Sequence, residues 1–455
     1  MPLATEITSA YQKQYEQFIG RLRDHEPSYL LQRRDSAFSA WLLSRFFESK
    51  SEAWKYTAPQ NLIKSEYLNN LTNPHPSPLH RCLDTSDIGN MPTAKIYIHN
   101  GSYNPAKSNI DSLNNCAQVT YLQDLSRNSL KKVLSDFRHL QRQDGFMLLN
   151  EALNQNTLMI RVFSAVDLPV IHLIYTASII GANYPRLYFI VEPNINVTVI
   201  EHFGCLFHEY DSLCDAVSCF LLQPKSELTH VRLIREGDLR PVDYRTHHVS
   251  QSEFVLQESA RLAAHIISLS GKIVRHETKV NLTQPHATAS IKGLMMANDQ
   301  QHTDHRVVIN HLAPESYSEC DYRGLANGNG TGIFNGRVQL DKSAQRTESQ
   351  LMTHNLLLSE NAHFYTKPEL EIYANNVLCK HGATIGKIDD AIILYMQSRG
   401  LNKDAAIHLL IAGFAENVLR GLPVALADWL TPILHAAIAN CLASYQVKSG
   451  RSSYD

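Results

Sequence analysis

The chain has 455 residues, enough to bury more than one hydrophobic core, and 19% of them are charged. Its formal net charge of -2 gives no electrostatic reason to expect a nucleic acid or an anionic membrane as a partner. The eight cysteines include no CxxC pair, which argues against a paired-ligand zinc site and favours reduced thiols in the cytoplasm.

Neither a secretion signal nor a membrane span is expected from the sequence. The segment Met1–Glu6 lacks the basic region and apolar run that mark a signal peptide. The most apolar long stretch that we identified, Leu168–Ala182, is interrupted by His172 and is shorter than the roughly 18 residues that a span needs.

Residues 1–150 are predicted to form a mainly helical N-terminal region. Tyr11, Tyr15 and Phe18 recur at three- and four-residue intervals, as on one face of a helix, and a second helical stretch runs from Phe38 to Phe47. A proline-rich linker follows at positions 73–78. Beyond it, the sequence at 94–101 predicts a short strand that enters a tight turn.

Residues 151–384 are predicted to form a parallel β-helix core, because short strands follow one another with almost no helical pattern. Turns at Glu192–Pro193, Gln223–Pro224 and Gln284–Pro285 are separated by about 30 residues or twice that, and Ser250–Glu253 is the expected turn between them. The alternative is a β-sandwich, whose turns would recur about every 10 residues. The longer spacing favours the solenoid.

Residues 385–455 are predicted to form a C-terminal helical domain. Asp389 or Asp390 is suited to cap one helix, Gly400 to end it, and Asn402 to cap the next. Pro432 would either kink a third helix or restart it. These helices carry more apolar side chains than a small bundle can bury, so they are expected to pack on the solenoid and on another protein.

Cys379 and His381 are the first candidate for chemistry. Residues two apart in a strand point to the same face, so the thiol and the imidazole are expected to project together. Both groups are ligands for iron–sulfur clusters and zinc, but two ligands cannot close a four-coordinate site. The alternative is a buried cysteine beside a surface histidine, and spacing alone favours it.

A second candidate is formed by His302, Asp304 and His305, with His311 close behind. In a strand, His302 and Asp304 share one face while His305 points to the other. This pattern differs from the HExxH helix of zinc hydrolases and favours hydrogen bonding within the solenoid.

Motifs for nucleotide binding and nucleophilic catalysis are lacking in the sequence. The glycine-rich run Asn327–Gly332 has no following lysine and is interpreted as a turn between coils. No GxSxG elbow is present. The chain therefore carries no ATPase or serine-hydrolase signature of its own.

Several motifs together resemble the SufB/SufD family of iron–sulfur cluster assembly scaffolds, and within it the SufD branch. Where SufB-like sequences carry Glu-His-Glu, this chain has Cys379-Lys-His381, and at Thr353–His354 it lacks their cluster-assembly cysteine. The segments that carry the resemblance are Glu52–Thr57 (EAWKYT), Gln301–Asp304, Leu357–Ala362, Thr366–Tyr373, Val377, Cys379–Thr384 and Ser398–Gly400.

The resemblance implies a right-handed parallel β-helix in a non-catalytic subunit that pairs with SufB and binds the SufC ATPase. The ATPase would dock on the region from Thr384 to Phe414. His381, and next Cys379, would be metal ligands for a transient iron–sulfur cluster shared with SufB, with no stably bound cofactor. A homodimer is expected as an option when SufB is absent, and no nucleic acid or membrane partner is expected.

Two rival functions remain open at this point. A β-helix enzyme acting on polysaccharide would need a secretion signal and a carboxylate cluster in a groove. A stand-alone metal-dependent hydrolase would be built on His302, Asp304 and His305. Neither rival explains the C-terminal motifs.

Overall fold

A computed structural model gives the fold of most of the chain. It describes residues 2–44, 46, 52–64, 67, 88–137, 144–177, 181–205, 211–236 and 246–449. The proline-rich linker expected at 73–78 lies outside the described residues.

Four helices precede or flank the first strands. They are α1 (Pro2–Leu22), α2 (Ser28–Ser44), α3 (Arg127–Asp136) and α4 (Gly145–Leu153), with a short 3-10 turn at Glu52–Trp54. The aromatic stripe predicted for the first helix is buried against the second, where the rings of Tyr15 and Phe38 stack at 4.0 Å. Burial of aromatic surface therefore holds this helical layer together.

The centre of the molecule is a parallel β-solenoid built from two facing sheets, which confirms the predicted fold class. Within the described residues, the antiparallel strand pairings are those of Thr93–His99 with Ser102–Tyr103 and of Ala117–Tyr121 with Thr157–Val162. Sheet A contains, in order, β2 (Ser102–Tyr103), β1 (Thr93–His99), β5 (Val170–Ala177), β8 (Asn196–Cys205), β10 (Glu227–Glu236), β12 (Arg261–Ser270), β14 (Thr288–Ala297), β16 (Tyr317–Ala326), β18 (Thr347–Leu357) and β20 (Val377–Gly386).

Sheet B closes the other side of each coil. It contains β3 (Ala117–Tyr121), β4 (Thr157–Val162), β7 (Arg186–Val191), β9 (Ser212–Leu222), β11 (Thr246–Leu256), β13 (Ile273–Leu282), β15 (His302–His311), β17 (Thr331–Leu340) and β19 (His363–Ile372), and β6 (Gly181–Asn183) pairs with β9. Strands β1 to β3 lie within the region that the sequence predicted to be mainly helical.

The turns between coils repeat one backbone feature. A non-glycine residue with positive φ recurs about every 30 residues, at Asn194 (62°), Lys225 (60°), Ser259 (56°), His286 (61°), Glu315 (58°) and Arg346 (57°). The predicted repeat length is therefore correct. The turn expected at Ser250–Glu253 is wrong: these residues lie inside β11, and the turn comes later, at Ser259.

Helices cover the outer faces of both sheets. The N-terminal helices pack on sheet B, where Leu130 and Val133 share a cluster with Val217 and Leu221. The C-terminal helices α5 (Asp390–Ser398), α6 (Lys403–Ala415) and α7 (Val424–Ser449) extend from the end of the solenoid and pack back over sheet A.

The predicted caps of the C-terminal helices are confirmed. Asp389 accepts a hydrogen bond from the Ala391 amide at 2.8 Å, and Asn402 accepts one from the Ala405 amide at 2.7 Å. Gly400 ends α5 with φ of 95°. Pro432 lies inside α7, so the helix continues through it rather than restarting.

One segment of α7, Val424–Ala443, is long and apolar enough to cross a membrane by length and composition. In the structure its residues Leu426, Leu430 and Ile438 pack against the outer face of sheet A. The amide side chain of Asn327 also donates a hydrogen bond to the Cys441 carbonyl at 2.8 Å. This packing explains the apolar composition of the segment as part of a core.

Candidate functional site

The solenoid ends with two strand edges that face away from the preceding coils. Among the described residues, strand β20 is the last strand of sheet A and pairs with β18 alone, while β19 is the last strand of sheet B and pairs with β17 alone. A free strand edge presents unpaired backbone groups to another protein. Both exposed edges belong to the coil that carries the C-terminal motifs.

Cys379 and His381 lie on the inner face of this last coil. In the register of β20 with β18, Cys379 is opposite Ser349 and His381 is opposite Leu351. Ser349 and Leu351 are buried in the solenoid interior, at 2% and 0% exposure. The thiol and the imidazole therefore share a face, as their spacing predicts.

The column of side chains that leads to His381 shows why this position is unusual. In successive strands of sheet A, the residues aligned at one inward-pointing position are Ala264, Ile291, Cys320 and Leu351, all of them fully buried. His381 occupies the next place in this column. His381 is exposed, because no described coil stacks over it. A side chain that would be core in any earlier coil is thus presented at the surface.

Cys379 is only half-buried and packs against the edge of the solenoid core. Burial raises the pKa of its thiol, and a backbone hydrogen bond with Ser349 opposes this effect in part. A thiol with a raised pKa is protonated at neutral pH, so it becomes a ligand only when a metal or another group displaces its proton. The pair supplies two ligands, and the remainder of a four-coordinate site must come from outside this coil.

The residues of the second candidate do not converge on one point. His302 and Asp304 lie on the outer face of β15, whereas His305 points into the solenoid and contacts the Ser268 hydroxyl at 2.7 Å. His311 is held between the hydroxyls of Ser316 and Ser318, each at 2.8 Å. Hydrogen bonding within the solenoid is confirmed for His305 and His311, and the geometry does not support a metal-dependent hydrolase built on this set.

His302 and Asp304 instead bind the N-terminal segment Glu52–Thr57, a contact that the sequence did not predict. The Thr57 hydroxyl lies 2.8 Å from His302 Nε2 and donates a 2.6 Å hydrogen bond to Asp304. Arg275 forms an ion pair with the same carboxylate. Two motifs separated by almost 250 residues thus form a single contact.

The same segment reaches toward the open end of the solenoid. The Arg275 guanidinium lies 3.8 Å from the centre of the Trp54 ring, in a cation–π contact. The ring of Tyr56 stacks on Tyr365 of β19 at 4.6 Å, and Glu52 pairs with Lys367 at 3.3 Å. The segment is therefore positioned to support the strand that borders the candidate site.

The solenoid interior contains a buried polar network that the sequence analysis did not predict. Glu201 accepts hydrogen bonds from Arg232 at 2.8 Å and from Ser218, and its carboxylate contacts His230 at 2.9 Å. Although burial alone would raise the pKa of Glu201, Arg232 and His230 hold it at about 2. In β10, the inward-pointing His230 and Arg232 alternate with apolar residues that point to the outer face, and this alternation was the available signal.

The C-terminal helices leave an apolar surface uncovered. Ile393 is the one buried residue of α5, and its neighbours Leu394 and Tyr395 are 65% and 59% exposed. Leu409 of α6 is 55% exposed. Because α5 and α6 contact each other, these exposed apolar side chains lie on neighbouring helices, as is typical of a protein-binding surface.

Comparison with known proteins identifies the chain. The family model described as "SUF system FeS cluster assembly, SufBD core domain" matches residues 173–414, and the model for the "SufBD protein N-terminal region" matches residues 5–170. The chain belongs to the SufBD family. The core match covers the strands of both sheets from β6 onward, the last coil with Cys379 and His381, and the helices α5 and most of α6, while β1 to β4 fall within the N-terminal match.

Relatives of this SufBD protein include the iron-sulfur cluster assembly protein SufD of Escherichia coli, which is 28% identical over 82% of this chain and 84% of its own length. The SufBD family protein slr0076 of Synechocystis is 26% identical over 92% of this chain and 93% of its own length. The chloroplastic protein ABCI7 of Arabidopsis thaliana is 27% identical over 52% of this chain and 49% of its own length. The likeness to the two bacterial proteins extends over nearly the whole fold.

Proposed function

We propose that this SufBD protein is the SufD-type scaffold subunit of an iron–sulfur cluster assembly complex and performs no catalysis itself. It pairs with a SufB-like subunit through the open end of the solenoid. The observation that carries the proposal is the position of Cys379 and His381 on the inner face of the terminal strand β20, whose outer edge pairs with no strand among the described residues. The likeness to SufD over most of both chains supports the same assignment.

In this proposal a nascent cluster forms between ligands from both subunits. His381 is exposed, and among the described residues no strand pairs with the outer edge of β20, so its imidazole can reach a metal at the interface. Cys379 joins when iron displaces its proton. The cluster is cargo that is assembled and passed on, rather than a resident cofactor.

The exposed apolar surface of α5 and α6 is the proposed docking site for a SufC-like ATPase. It falls within Thr384–Phe414, the region to which the family resemblance assigns this role. When two ATPase subunits close on ATP, the attached helices move, and the interface between the scaffold subunits is reshaped. Such a shift requires the nucleotide states to differ in their binding energy for the two arrangements.

The proposed compartment is the cytoplasm of a bacterial cell. The full-length likeness to bacterial proteins supports this placement, while ABCI7 is described as chloroplastic. Without a SufB-like partner, the same strand edges would favour pairing between two copies of this chain.

The test is to co-express the chain with SufB-like and SufC-like partners and to measure iron and acid-labile sulfide per complex. His381→Ala is expected to lower both by at least about tenfold, in line with the loss of a metal ligand. Lys380→Ala is the matched control, because Lys380 is the exposed neighbour on the opposite face of β20. Unchanged iron and sulfide in an intact His381→Ala complex would remove the terminal pair from the mechanism.

A further inference from the structure

Two glutamates are buried inside the solenoid, and their surroundings differ in charge. Glu201 is paired with the Arg232 guanidinium at 2.8 Å. Glu236, which is 3% exposed, faces the His248 imidazole at 2.9 Å, and no arginine or lysine pairs with it within the described part of the chain. A buried carboxylate is costly unless a positive charge compensates it. Among the described residues, His248 is thus the one basic group that pairs with Glu236.

A thiol completes the group around Glu236. Cys214 of β9 and His248 of β11 are direct register partners on the inner face of sheet B, and Glu236 ends β10 on the opposite sheet. The thiol sulfur, an imidazole nitrogen and a carboxylate oxygen all lie within 4.8 Å of one another. Two sheets therefore bring three different metal-binding groups together across the interior of the solenoid.

The spacing of these atoms is close to that of a metal site. With bonds of about 2.3 Å to sulfur and about 2.0 Å to nitrogen, ligand atoms of a tetrahedral zinc ion lie roughly 3.5 Å apart. Small side-chain rotations reach this separation from the observed one. A thiolate, an imidazole and a carboxylate together form a ligand set that suits Zn²⁺ or Fe²⁺.

The His248 ring is also oriented as a metal ligand would be. Its Nε2 contacts the Ser250 hydroxyl at 2.9 Å, and that hydroxyl contacts His276 Nδ1 at 2.8 Å. This second contact fixes the ring and leaves Nδ1 directed at Glu236. Outer hydrogen bonds of this kind orient the histidine ligands of most metal sites.

A small cavity beside Cys214 and Glu236 offers room for a fourth ligand. Its walls include Cys214 and Glu236 together with Tyr175, Asn183 and Thr246. A water molecule in this cavity would complete a four-coordinate site.

We propose that Cys214, Glu236 and His248 bind one divalent transition-metal ion, Zn²⁺ or Fe²⁺, inside the solenoid. Binding releases the thiol proton of Cys214, the imidazole proton of His248 moves from Nδ1 to Nε2, where the Ser250 hydroxyl accepts it, and the ion supplies a positive charge beside the Glu236 carboxylate. The site is separate from Cys379 and His381, because β11 lies four strands before β19 in sheet B.

The test uses the full-length chain expressed in minimal medium with Co²⁺, Zn²⁺ or, under anaerobic conditions, Fe²⁺. We expect about one ion per chain after gel filtration, measured by elemental analysis, and with Co²⁺ a thiolate-to-metal charge-transfer absorption band. Comparing the three cultures distinguishes a zinc site from an iron site.

Cys214→Ser is expected to abolish the Co²⁺ band and the bound ion. Cys219→Ser is the matched control, since Cys219 is a buried thiol on the outer face of the same strand, and it is expected to keep both. If Cys214→Ser does not fold, Glu236→Gln preserves the side-chain shape and is expected to weaken metal binding by more than about tenfold.

Two results would overturn the proposal: a wild-type chain without bound metal in all three cultures, or a Co²⁺ band that survives Cys214→Ser. A band that disappears only when Cys379 and His381 are both replaced would assign the metal to the terminal pair instead. None of these results depends on iron and sulfide in the co-expressed complex, so this inference and the proposed function fail independently.

Discussion

The Thr57 hydroxyl donates a 2.6 Å hydrogen bond to the buried carboxylate of Asp304. This bond joins the N-terminal segment to the outer face of sheet B, two strands before the open end. The neighbouring contacts of Trp54 with Arg275 and of Tyr56 with Tyr365 extend the attachment of this segment across sheet B toward the open end. The segment is thus a brace for the coil that carries the candidate site.

Removing this hydroxyl should weaken the brace. Thr57→Val keeps the shape of the side chain but leaves the buried Asp304 and His302 each without one partner, so we expect a loss of about 1–3 kcal/mol in the free energy of unfolding. Urea denaturation measures this loss. Thr331→Val is the control, because the Thr331 hydroxyl makes no hydrogen bond within the described residues. Equal stability of the two variants would contradict the bracing role.

The contact between the solenoid and α7 should depend on pH. His172 and His202 stack at 5.7 Å beneath Trp429, and their ring nitrogens have no hydrogen-bond partner among the described residues. Burial lowers the pKa of His172 to about 3 and that of His202 well below its usual value. The unfolded state therefore binds protons below about pH 6.5 that the folded state does not accept.

The sign of this effect is fixed by the direction of the two pKa shifts. Stability is full above about pH 6.5 and falls as the pH drops toward 3, by up to about 1.4 kcal/mol per pH unit for each histidine. Urea titrations followed by Trp429 fluorescence at several pH values measure the slope. A variant with His172→Gln and His202→Gln should have a shallower slope, and an unchanged slope would show that other buried histidines dominate.

The buried ion pair of Glu201 and Arg232 allows the energetic cost of an unpaired charge inside the solenoid to be measured. Both side chains are 0% exposed, so Arg232→Met leaves an uncompensated carboxylate and should cost about 3–5 kcal/mol. Adding Glu201→Gln to the same chain should recover much of that loss, because it removes the unpaired charge. Chemical denaturation of the single and double variants measures the coupling, and strictly additive losses would contradict it.

If the exposed surface of α5 binds a SufC-like ATPase, a charge placed on it should weaken that binding. Leu394→Asp places a charge on the proposed docking surface and should lower recovery of a SufC-like ATPase by at least about tenfold, since a buried interface does not tolerate an unpaired charge. Quantitative co-purification measures the loss. Leu312→Asp changes an exposed leucine on the solenoid and is the control. Equal ATPase recovery with both variants would place the docking site elsewhere.

Local features of the chain could be predicted from the sequence, and features that depend on distant contacts could not. Asp389, Gly400 and Asn402 were assigned correctly because a cap depends on a few adjacent residues. The predicted turn at Ser250–Glu253 failed because Ser250 and Ser252 belong to a polar interior, where serine hydroxyls contact His276 and Arg232. A hydrophilic stretch was therefore mistaken for a surface turn.

In the candidate site, too, local features could be predicted from the sequence and features that depend on distant contacts could not. The shared face of Cys379 and His381 follows from the two-residue period of a strand, so it was accessible to sequence analysis. Their exposure depends on where the stacking of coils ends. The grouping of Cys214, Glu236 and His248 depends on register between strands of two sheets, which no local pattern contains.

The column that runs from Ala264 to Leu351 and ends at His381 restricts which other solenoid proteins can stack on this end. A further coil from an unrelated solenoid, stacked on this end, would seal an imidazole and a thiol beneath hydrocarbon with nothing to coordinate them, at a cost in free energy. Cys379 and His381 thus disfavour the end-to-end stacking of unrelated solenoids into fibres. The edge of β20 remains available to a protein that brings complementary metal ligands.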